Sequence, residues 1–145
     1  MLLALMQKLV IDTNVFISYL ISKNGFSYKI VDDIILNRKA LHYVSDATLK
    51  DYIDVFGRIR FTRKYPLFSK TGFILLNSLL QLSVHVNSSI VVHQIKDEND
   101  NRFLELASAS EADYLITGNK LHFTFSKFYN TLIVSPREYW EFYKP

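Results

Sequence analysis

Small polar and acidic residues follow several apolar runs of this sequence, at the points where those runs end. They are Asp12, Thr13 and Asn14, then Asp97, Asp100 and Asn101, and finally Thr117 and Asn119. A further carboxylate, Asp51, belongs to a predicted helix and can point back over the same region. Carboxylates that are brought together repel one another, and burying them is unfavourable unless a cation compensates the charge. Such oxygen ligands suit Mg²⁺ or Mn²⁺, so the pattern predicts metal-dependent hydrolysis of a phosphodiester.

Each of these acidic residues also has a purely structural interpretation. Asp12 and Asp97 precede predicted helices, where aspartate commonly caps the first turn. The residue types leave both interpretations open for Asp12, whereas for Asp97 they favour capping. Asp51 and Asp54 lie one helical turn apart, and carboxylates on a helix usually face water. Asp113 precedes the strand that leads to the third polar segment, so we expect it at the opposite end of the sheet, about 13 Å away.

The elements that must position these residues follow from the apolar periodicity. Short apolar runs predict strands at 9–11, 41–44, 84–86, 90–95, 114–117 and 131–134. Helical spacing predicts helices at 15–21, 28–36, 45–56, 68–82 and 100–110, and a terminal helix that begins at Pro136. Strands that are apolar throughout and alternate with helices predict a mostly parallel sheet covered by helices on both faces. Ligands bind beyond the carboxyl ends of such strands, which is where Asp12 is expected.

The length and composition limit the architecture and the chemistry. The chain has 145 residues, of which 49% are hydrophobic, and we expect one domain over residues 1–145. Residues 1–6 are interpreted as an extension from an upstream start site. No apolar run is long enough to cross a membrane, and we predict a cytoplasmic protein without a membrane partner. The sequence has no cysteine, which excludes disulfides, thiolate metal sites and thiol nucleophiles.

Basic and acidic residues are segregated along the chain. The net charge is +3, and residues 55–96 contain no aspartate or glutamate. The basic residues of that stretch are Arg58, Arg60, Arg63, Lys64, Lys70 and Lys96. A basic surface beside clustered carboxylates suits an enzyme that holds a phosphodiester over metal ions, although composition alone favours an ordinary solvated surface.

Other phosphate and acyl chemistries lack their motifs in this sequence. There is no G-x-x-x-x-G-K-[ST] loop, no G-x-G-x-x-G and no G-x-S-x-G elbow. Phosphatases of the haloacid dehalogenase type need a second aspartate where Asn14 stands. Receiver domains need paired acids before the first strand and a lysine after a late strand, and neither is found. The four histidines lack metal-ligand spacing, and only His122 is close in sequence to the candidate site.

Four segments of the sequence resemble the PIN domain. They read LVIDTNVFIS, SDATLKDYIDVFGR, DENDNRFLELASASEADYLITGNK and LIVSPREYW, and the similarity extends from Lys8 to about Phe142. Within that family the sequence is most similar to the VapC-like toxins of bacterial and archaeal toxin–antitoxin pairs. The resemblance implies a three-layer α/β/α sandwich with a central, mostly parallel sheet. It also implies an Mg²⁺- or Mn²⁺-dependent ribonuclease.

The resemblance further implies which residues form the catalytic site. The family gathers three or four acids, which fall here on Asp12, Asp51, Asp100 and, at the fourth place, Asn119. The metal ligands would be Asp12, Asp51 and Asp100, and the supporting residues would be Thr13, Asn14, Asp97 and Thr117. Two positions depart from the usual pattern, because Asp51 replaces a glutamate and Asn119 replaces an aspartate. With three carboxylates we expect one metal ion to bind weakly and a second to bind poorly if at all. Two outcomes are open for the activity: it is reduced, or it survives because this fourth position is the family's most variable.

The basic stretch and the chain end suggest partners. Arg58, Arg60, Arg63 and Lys64 are predicted to bind RNA phosphates. The aromatic residues interleaved with them can stack on unpaired bases, or belong to the core or to an interface with a cognate antitoxin, and for Phe56 and Phe68 the core is favoured. The aromatic tail 139–143 either packs on the sheet or joins two subunits of a homodimer.

Two functional hypotheses follow. The first is a metal-dependent endoribonuclease that is the toxin of a type II toxin–antitoxin pair. The second is a catalytically weakened PIN-like module that binds RNA or a partner protein without cleaving. The second is motivated by the neutral Asn119 and the short side chain of Asp51.

Overall fold

The computed structural model describes residues 5–145, so residues 1–4 of the predicted extension lie outside the described residues. The described residues form a six-stranded sheet. Its strands are β1 (Lys8–Ile11), β2 (Leu41–Val44), β3 (Val84–His85), β4 (Tyr114–Ile116), β5 (Lys127–Phe128) and β6 (Thr131–Val134). The strand order is β3-β2-β1-β4-β6-β5, and only β5 runs antiparallel to its neighbour.

Helices connect the strands and flank the sheet. They are α1 (Thr13–Ile21), α2 (Phe26–Lys29) with a π-helical continuation (Ile30–Ile35), α3 (Asp46–Phe56), α4 (Ile59–Lys64), α5 (Phe68–Leu82), α6 (Glu98–Ser110) and α7 (Pro136–Glu138) with a π-helical continuation (Tyr139–Tyr143). A short 3₁₀ turn spans Lys120–His122. This arrangement confirms the predicted PIN-like α/β/α fold with a mostly parallel sheet.

The central strands are buried on both faces. Leu9, Val10 and Ile11 of β1 are fully buried, as are Leu115 and Ile116 of β4. A strand that is covered by helices on both sides needs apolar residues at every position, which explains the continuous apolar runs. Helix α6 packs against β1, β2 and β4 and supplies much of that cover.

Local sequence fixes where the site-bearing helix α3 begins and ends. The hydroxyl of Ser45 accepts a hydrogen bond from the backbone N–H of Thr48, and the Thr48 hydroxyl accepts one from the N–H of Ser45. This reciprocal capping satisfies donors that the first turn leaves unpaired. Gly57 follows the last residue of the helix as its C-cap. Ser45 and Thr48 therefore fix the residue at which α3 begins, and with it the side of the helix on which each later residue lies.

The segment 90–95 is irregular, so the predicted strand there is wrong. The backbone polar groups of Val92 and Ile95 bond to side chains of α6 rather than to another strand. The N–H of Val92 donates to the carboxylate of Glu105 at 2.8 Å, and the amide of Asn101 bonds both the N–H and the carbonyl of Ile95 at 2.8 Å. The apolar side chains that suggested a strand are buried, at Val92 and Ile95, without any strand pairing.

Three further differences concern short elements and helix boundaries. Helix α4 and strand β5 were not predicted, and α6 begins at Glu98 rather than Asp100. The predicted helix 28–36 begins at Phe26 and widens into a π-helix. The remaining predicted helices and strands are present, with ends shifted by at most two residues.

The aromatic tail packs against the sheet over part of its length. Tyr139 is fully buried, and its hydroxyl donates to the side-chain carbonyl of Gln7 at 2.6 Å. The rings of Tyr139 and Tyr143 lie 5.6 and 5.1 Å from the ring of Tyr114 on β4. Phe142 remains exposed. The tail thus adopts the first of its two predicted roles, and the homodimer stays a prediction.

Candidate functional site

Asp12 lies at the carboxyl end of the central strand β1. Its backbone N–H donates to the carbonyl of Ile116 at 2.9 Å, which brings the ends of β1 and β4 side by side. The Asp12 carboxylate accepts hydrogen bonds from the Thr117 hydroxyl at 2.7 Å and from the Asn14 amide at 3.1 Å. Asp12 stands at the N-cap position of α1, but its carboxylate makes no capping hydrogen bond. Capping therefore does not explain this residue.

Asn14 connects the two strand ends a second time. Its side-chain carbonyl accepts a hydrogen bond from the N–H of Gly118 at 2.8 Å. A Cβ atom added at Gly118 would lie 3.1 Å from that same oxygen, so the close approach favours glycine. The N–H of Asn119 donates to the Thr117 hydroxyl at 3.0 Å. The loop that carries Asn119 is therefore held against Asp12 by hydrogen bonds to Asn14 and Thr117.

Asp51 reaches the site from α3. The hydroxyl of Thr13 donates a short hydrogen bond to its half-buried carboxylate. On the next residue, the Tyr52 hydroxyl donates to the carbonyl of Ile11 at 2.5 Å, which fastens α3 to the end of β1. Thr13 thus orients Asp51, whereas Asn14 and Thr117 orient Asp12.

The start of α6 contributes two more carboxylates. Asp97 caps the helix, since its side chain accepts a hydrogen bond from the N–H of Asn99 at 3.0 Å. Asp100, one turn on, is only 5% exposed. Its Oδ2 lies 3.2 Å from Nδ1 of His122, on the 3₁₀ turn after Asn119. One ligand atom each from Asp97, Asp100 and His122 falls within 4.8 Å of the others.

An open cleft of about 160 Å³ joins these groups. Its lining includes seven residues proposed from the sequence and one basic residue of the 55–96 stretch: Asp12, Thr13, Asn14, Asp51, Asp97, Asp100, Asn119 and Arg58. Thr117 lies behind the cleft, fully buried against Asp12. Arg60, Arg63 and Lys64 are exposed outside the cleft lining.

Burial and repulsion from neighbouring carboxylates make Asp12 and Asp100 hard to ionise without a cation. Burial raises the pKa of Asp12 from 3.8 to about 7; the nearby Asp100 and Asp51 add to the increase, and the Thr117 hydrogen bond opposes it. Burial likewise raises the pKa of Asp100, while its hydrogen bond with His122 lowers it. A divalent cation relieves both effects, and the carboxylate and amide oxygens present are the ligands that a hard cation prefers.

Other predicted placements can be compared with the structure. Asp54 is exposed, as expected, and does not line the cleft. The carboxylate of Asp113 accepts from the N–H of Lys8 at the amino end of β1, which is the opposite end of the sheet, as expected. Phe56 and Phe68 are buried in the core. Sequence reasoning gave little weight to His122, although it follows Asn119 by three residues, a spacing that one helical turn brings to the same side.

Residues 8–121 match the sequence model of the PIN domain family. The chain belongs to the PIN domain family. It is also 38% identical over 113 residues to an uncharacterized protein, MJ1680, of Methanocaldococcus jannaschii, a match that covers 78% of this chain and 71% of that protein. These relationships confirm the resemblance found from the four sequence segments.

A solved structure shares the fold of this PIN domain. It is a chain of the crystal structure of VapBC2 from Rickettsia felis bound to a DNA fragment from their promoter. The superposition has a TM-score of 0.56 at 13% sequence identity and covers 89% of this chain and 98% of that chain. Within residues 5–145, no helix combines the length and the apolar character needed to cross a membrane.

Proposed function

We propose that this PIN domain is a metal-dependent endoribonuclease and the toxin of a type II toxin–antitoxin pair. The observation that carries the proposal is the buried Asp12 carboxylate, whose pKa is raised to about 7 beside Asp51 and Asp100 in an open cleft. Proteins seldom keep such a group unless a ligand compensates for its cost. PIN-family membership supplies the nuclease class, and the donor set suits Mg²⁺ or Mn²⁺.

The proposed mechanism assigns a role to each side chain of the cleft. Asp12, Asp51 and Asp100 would hold a divalent cation, which supplies a more acidic bound water and stabilises charge on the phosphoryl group. Asn14 and Thr117 fix the orientation of Asp12. Asn119 would hold a water molecule through its side-chain carbonyl, a role that needs no formal charge.

Arg58 is the basic residue best placed to bind the scissile phosphate, because it lines the cleft beside the carboxylates. Arg60, Arg63 and Lys64 lie on α4 or its border and would hold flanking phosphates of a single-stranded RNA. The guanidinium of Arg60 lies 4.8 Å from the ring centre of Phe61, and the residue is exposed. The four residues together would lead the RNA from α4 into the cleft.

An antitoxin partner is proposed from the exposed apolar side chains of the same region. Ile59, Leu67 and Ile74, on or beside α4 and α5, are each at least 60% exposed. Exposed apolar side chains that lie close together commonly mark a protein interface, and these three belong to neighbouring segments of the chain. The structural neighbour from Rickettsia felis is described as a VapBC2 complex, which supports a partner of antitoxin type.

Asn119 favours a second candidate function. A neutral residue at this position removes one formal charge from the site, and Asp51 is one methylene shorter than glutamate. A protein with such a site can retain RNA or partner binding after losing cleavage. This candidate is a PIN-like binding module without nuclease activity.

Cleavage of a mixed-sequence single-stranded RNA with Mn²⁺ or Mg²⁺ separates the two candidates. The proteins to compare are wild type, Asp12→Asn, Asn119→Asp and the control Asp54→Asn, which changes an exposed carboxylate one turn from Asp51. We expect wild type and Asp54→Asn to cleave and Asp12→Asn to lose at least about 100-fold in rate, as expected for loss of a metal ligand. Unchanged cleavage by Asp12→Asn would refute the nuclease proposal. Cleavage by Asn119→Asp alone would show that the natural chain has lost nuclease activity, as the second candidate function requires.

A further inference from the structure

Asp97, Asp100 and His122 form a compact group at one side of the cleft. Nδ1 of His122 lies 3.2 Å from Oδ2 of Asp100. One ligand atom each from Asp97, Asp100 and His122 lies within 4.8 Å of the other two. Two ligands at right angles on an octahedral cation with 2.1 Å bonds are about 3.0 Å apart, and opposite ligands about 4.2 Å. The three atoms therefore already stand at nearly the spacing of ligands that share one ion.

The turn that carries His122 is held in place from two sides. The N–H of His122 donates to the carbonyl of Asn119 at 2.8 Å, so the turn begins at the loop that faces Asp12. Lys120, the first residue of the turn, donates from Nζ to the Glu138 carboxylate at 2.8 Å. The next residue after the turn, Phe123, is buried. These contacts fix the backbone from which the imidazole reaches Asp100.

We propose that Asp97, Asp100 and His122 bind a second divalent cation. At this site the imidazole of His122 supplies the ligand that the neutral Asn119 provides only weakly. The inference rests on the proposed function in one respect: Asp100, which is proposed to hold the first cation, would also be a ligand of the second. The charge balance supports it, because four carboxylates line the cleft, those of Asp12, Asp51, Asp97 and Asp100, and Asn119 adds none.

The nitrogen ligand determines which cation this site prefers. Imidazole binds Mn²⁺, Co²⁺ and Zn²⁺ better than Mg²⁺, which prefers oxygen ligands and keeps its waters. An all-carboxylate cleft would show little such preference. The second site should therefore fill with Mn²⁺ at concentrations at which Mg²⁺ leaves it empty.

Electron paramagnetic resonance of Mn²⁺ bound to the full chain without RNA tests the inference directly, since a coordinated imidazole gives a ¹⁴N coupling. The variants are His122→Ala, His122→Asp and the control His85→Ala. His85 is a matched control because its Nε2 lies 2.8 Å from the carboxylate of Asp46 on the surface by β3. Thermal unfolding in EDTA establishes that each variant is folded.

We expect a ¹⁴N coupling in wild type and in His85→Ala, and none in His122→Ala. Loss even of an outer-shell partner weakens metal binding about 10- to 100-fold, so His122→Ala should raise the Mn²⁺ dissociation constant of one site at least about tenfold. His122→Asp should keep most of the Mn²⁺ affinity without the coupling. A wild-type spectrum without ¹⁴N coupling, or a coupling that survives in His122→Ala, would show that His122 only hydrogen-bonds Asp100 and would overturn the inference.

The two proposals fail in different ways. If the chain binds Mn²⁺ through His122 yet cleaves no RNA, the second cation site stands and the nuclease proposal falls. If wild type and His122→Ala cleave RNA equally and neither shows a ¹⁴N coupling, the nuclease proposal stands and the second cation site falls.

Discussion

Replacing Asp12 by asparagine should stabilise the metal-free protein at neutral pH while it abolishes cleavage. The carboxylate is 5% exposed and lies near Asp51 and Asp100, so its ionisation opposes folding when no cation is bound. An amide of the same shape carries no charge at any pH. A residue whose removal both inactivates and stabilises a protein is one that the fold tolerates for its chemistry.

The size of the effect follows from the pKa of Asp12, which rises from 3.8 to about 7 on folding. Between these values the folded state keeps a proton that the unfolded state has released, so the free energy of unfolding falls as pH rises. At about 1.4 kcal/mol per pKa unit, the loss across this window is about 4 kcal/mol. Above pH 7 both states are ionised and the curve is flat.

The amide in Asp12→Asn makes weaker hydrogen bonds than the carboxylate, which reduces the stabilisation of the variant. The Asp12 Oδ2 atom accepts from both Thr117 and Asn14, and a single amide oxygen in the variant must still serve both donors. One weakened hydrogen bond costs about 1 kcal/mol. We therefore expect Asp12→Asn to be more stable than wild type by about 3 kcal/mol at pH 8, and slightly less stable at pH 4.

Urea unfolding in EDTA at pH values from 4 to 8.5 measures this effect. The fluorescence of Trp140, the one tryptophan of the sequence, reports unfolding. Asp54→Asn, with its exposed carboxylate, should follow the wild-type profile. Added Mn²⁺ at pH 8 should stabilise wild type more than Asp12→Asn, which would keep only the cation site proposed at Asp97, Asp100 and His122.

Parallel pH profiles for wild type and Asp12→Asn would refute this prediction. Parallel curves would mean that Asp12 ionises as readily in the folded chain as in the unfolded one. In that case its surroundings would impose no electrostatic cost for a cation to relieve, and the central argument for a metal site at Asp12 would be lost.

Three further substitutions test the elements that position the site, each by urea unfolding. Tyr52→Phe removes the hydrogen bond to the carbonyl of Ile11 and should cost about 1–2 kcal/mol, with weaker metal binding because α3 is no longer fastened to β1. Gly72→Ala places a Cβ 3.0 Å from the ring of Phe56 and should cost about 1–2 kcal/mol, since overpacking outweighs the gain in helix propensity. Ser45→Ala removes the cap of α3 and should cost about 1 kcal/mol.

The positions of Asp12 and Asn119 at one edge of the sheet could be predicted, because apolar runs in the sequence indicate where strands end. Asp12 and Asn119 each follow a continuous apolar run, and both runs are buried central strands. Parallel neighbours place their carboxyl ends together, so sequence position alone brought these residues to one edge. Asp51 could be placed because Ser45 caps its helix.

The pairing of side chains within the site could not be predicted. Thr13 was expected to support Asp12, but its hydroxyl bonds Asp51, since that contact depends on how α3 packs. The Asp100–His122 contact depends likewise on a short 3₁₀ turn that has no apolar periodicity. The apolar residues of segment 90–95 predicted a strand, whereas its backbone hydrogen bonds go to the side chains of Asn101 and Glu105.

The hydrogen bond between Thr117 and Asp12 joins residues that are 105 positions apart. Strand β4 must pair with β1 before this bond can form, so the site depends on one of the most distant pairings of the chain. Pairings at such separation form late in folding, because a long loop must close first. A nascent chain that ends before Thr117 therefore cannot assemble the cleft. For the proposed ribonuclease, this order of assembly keeps the enzyme inactive while most of its own message is still being translated.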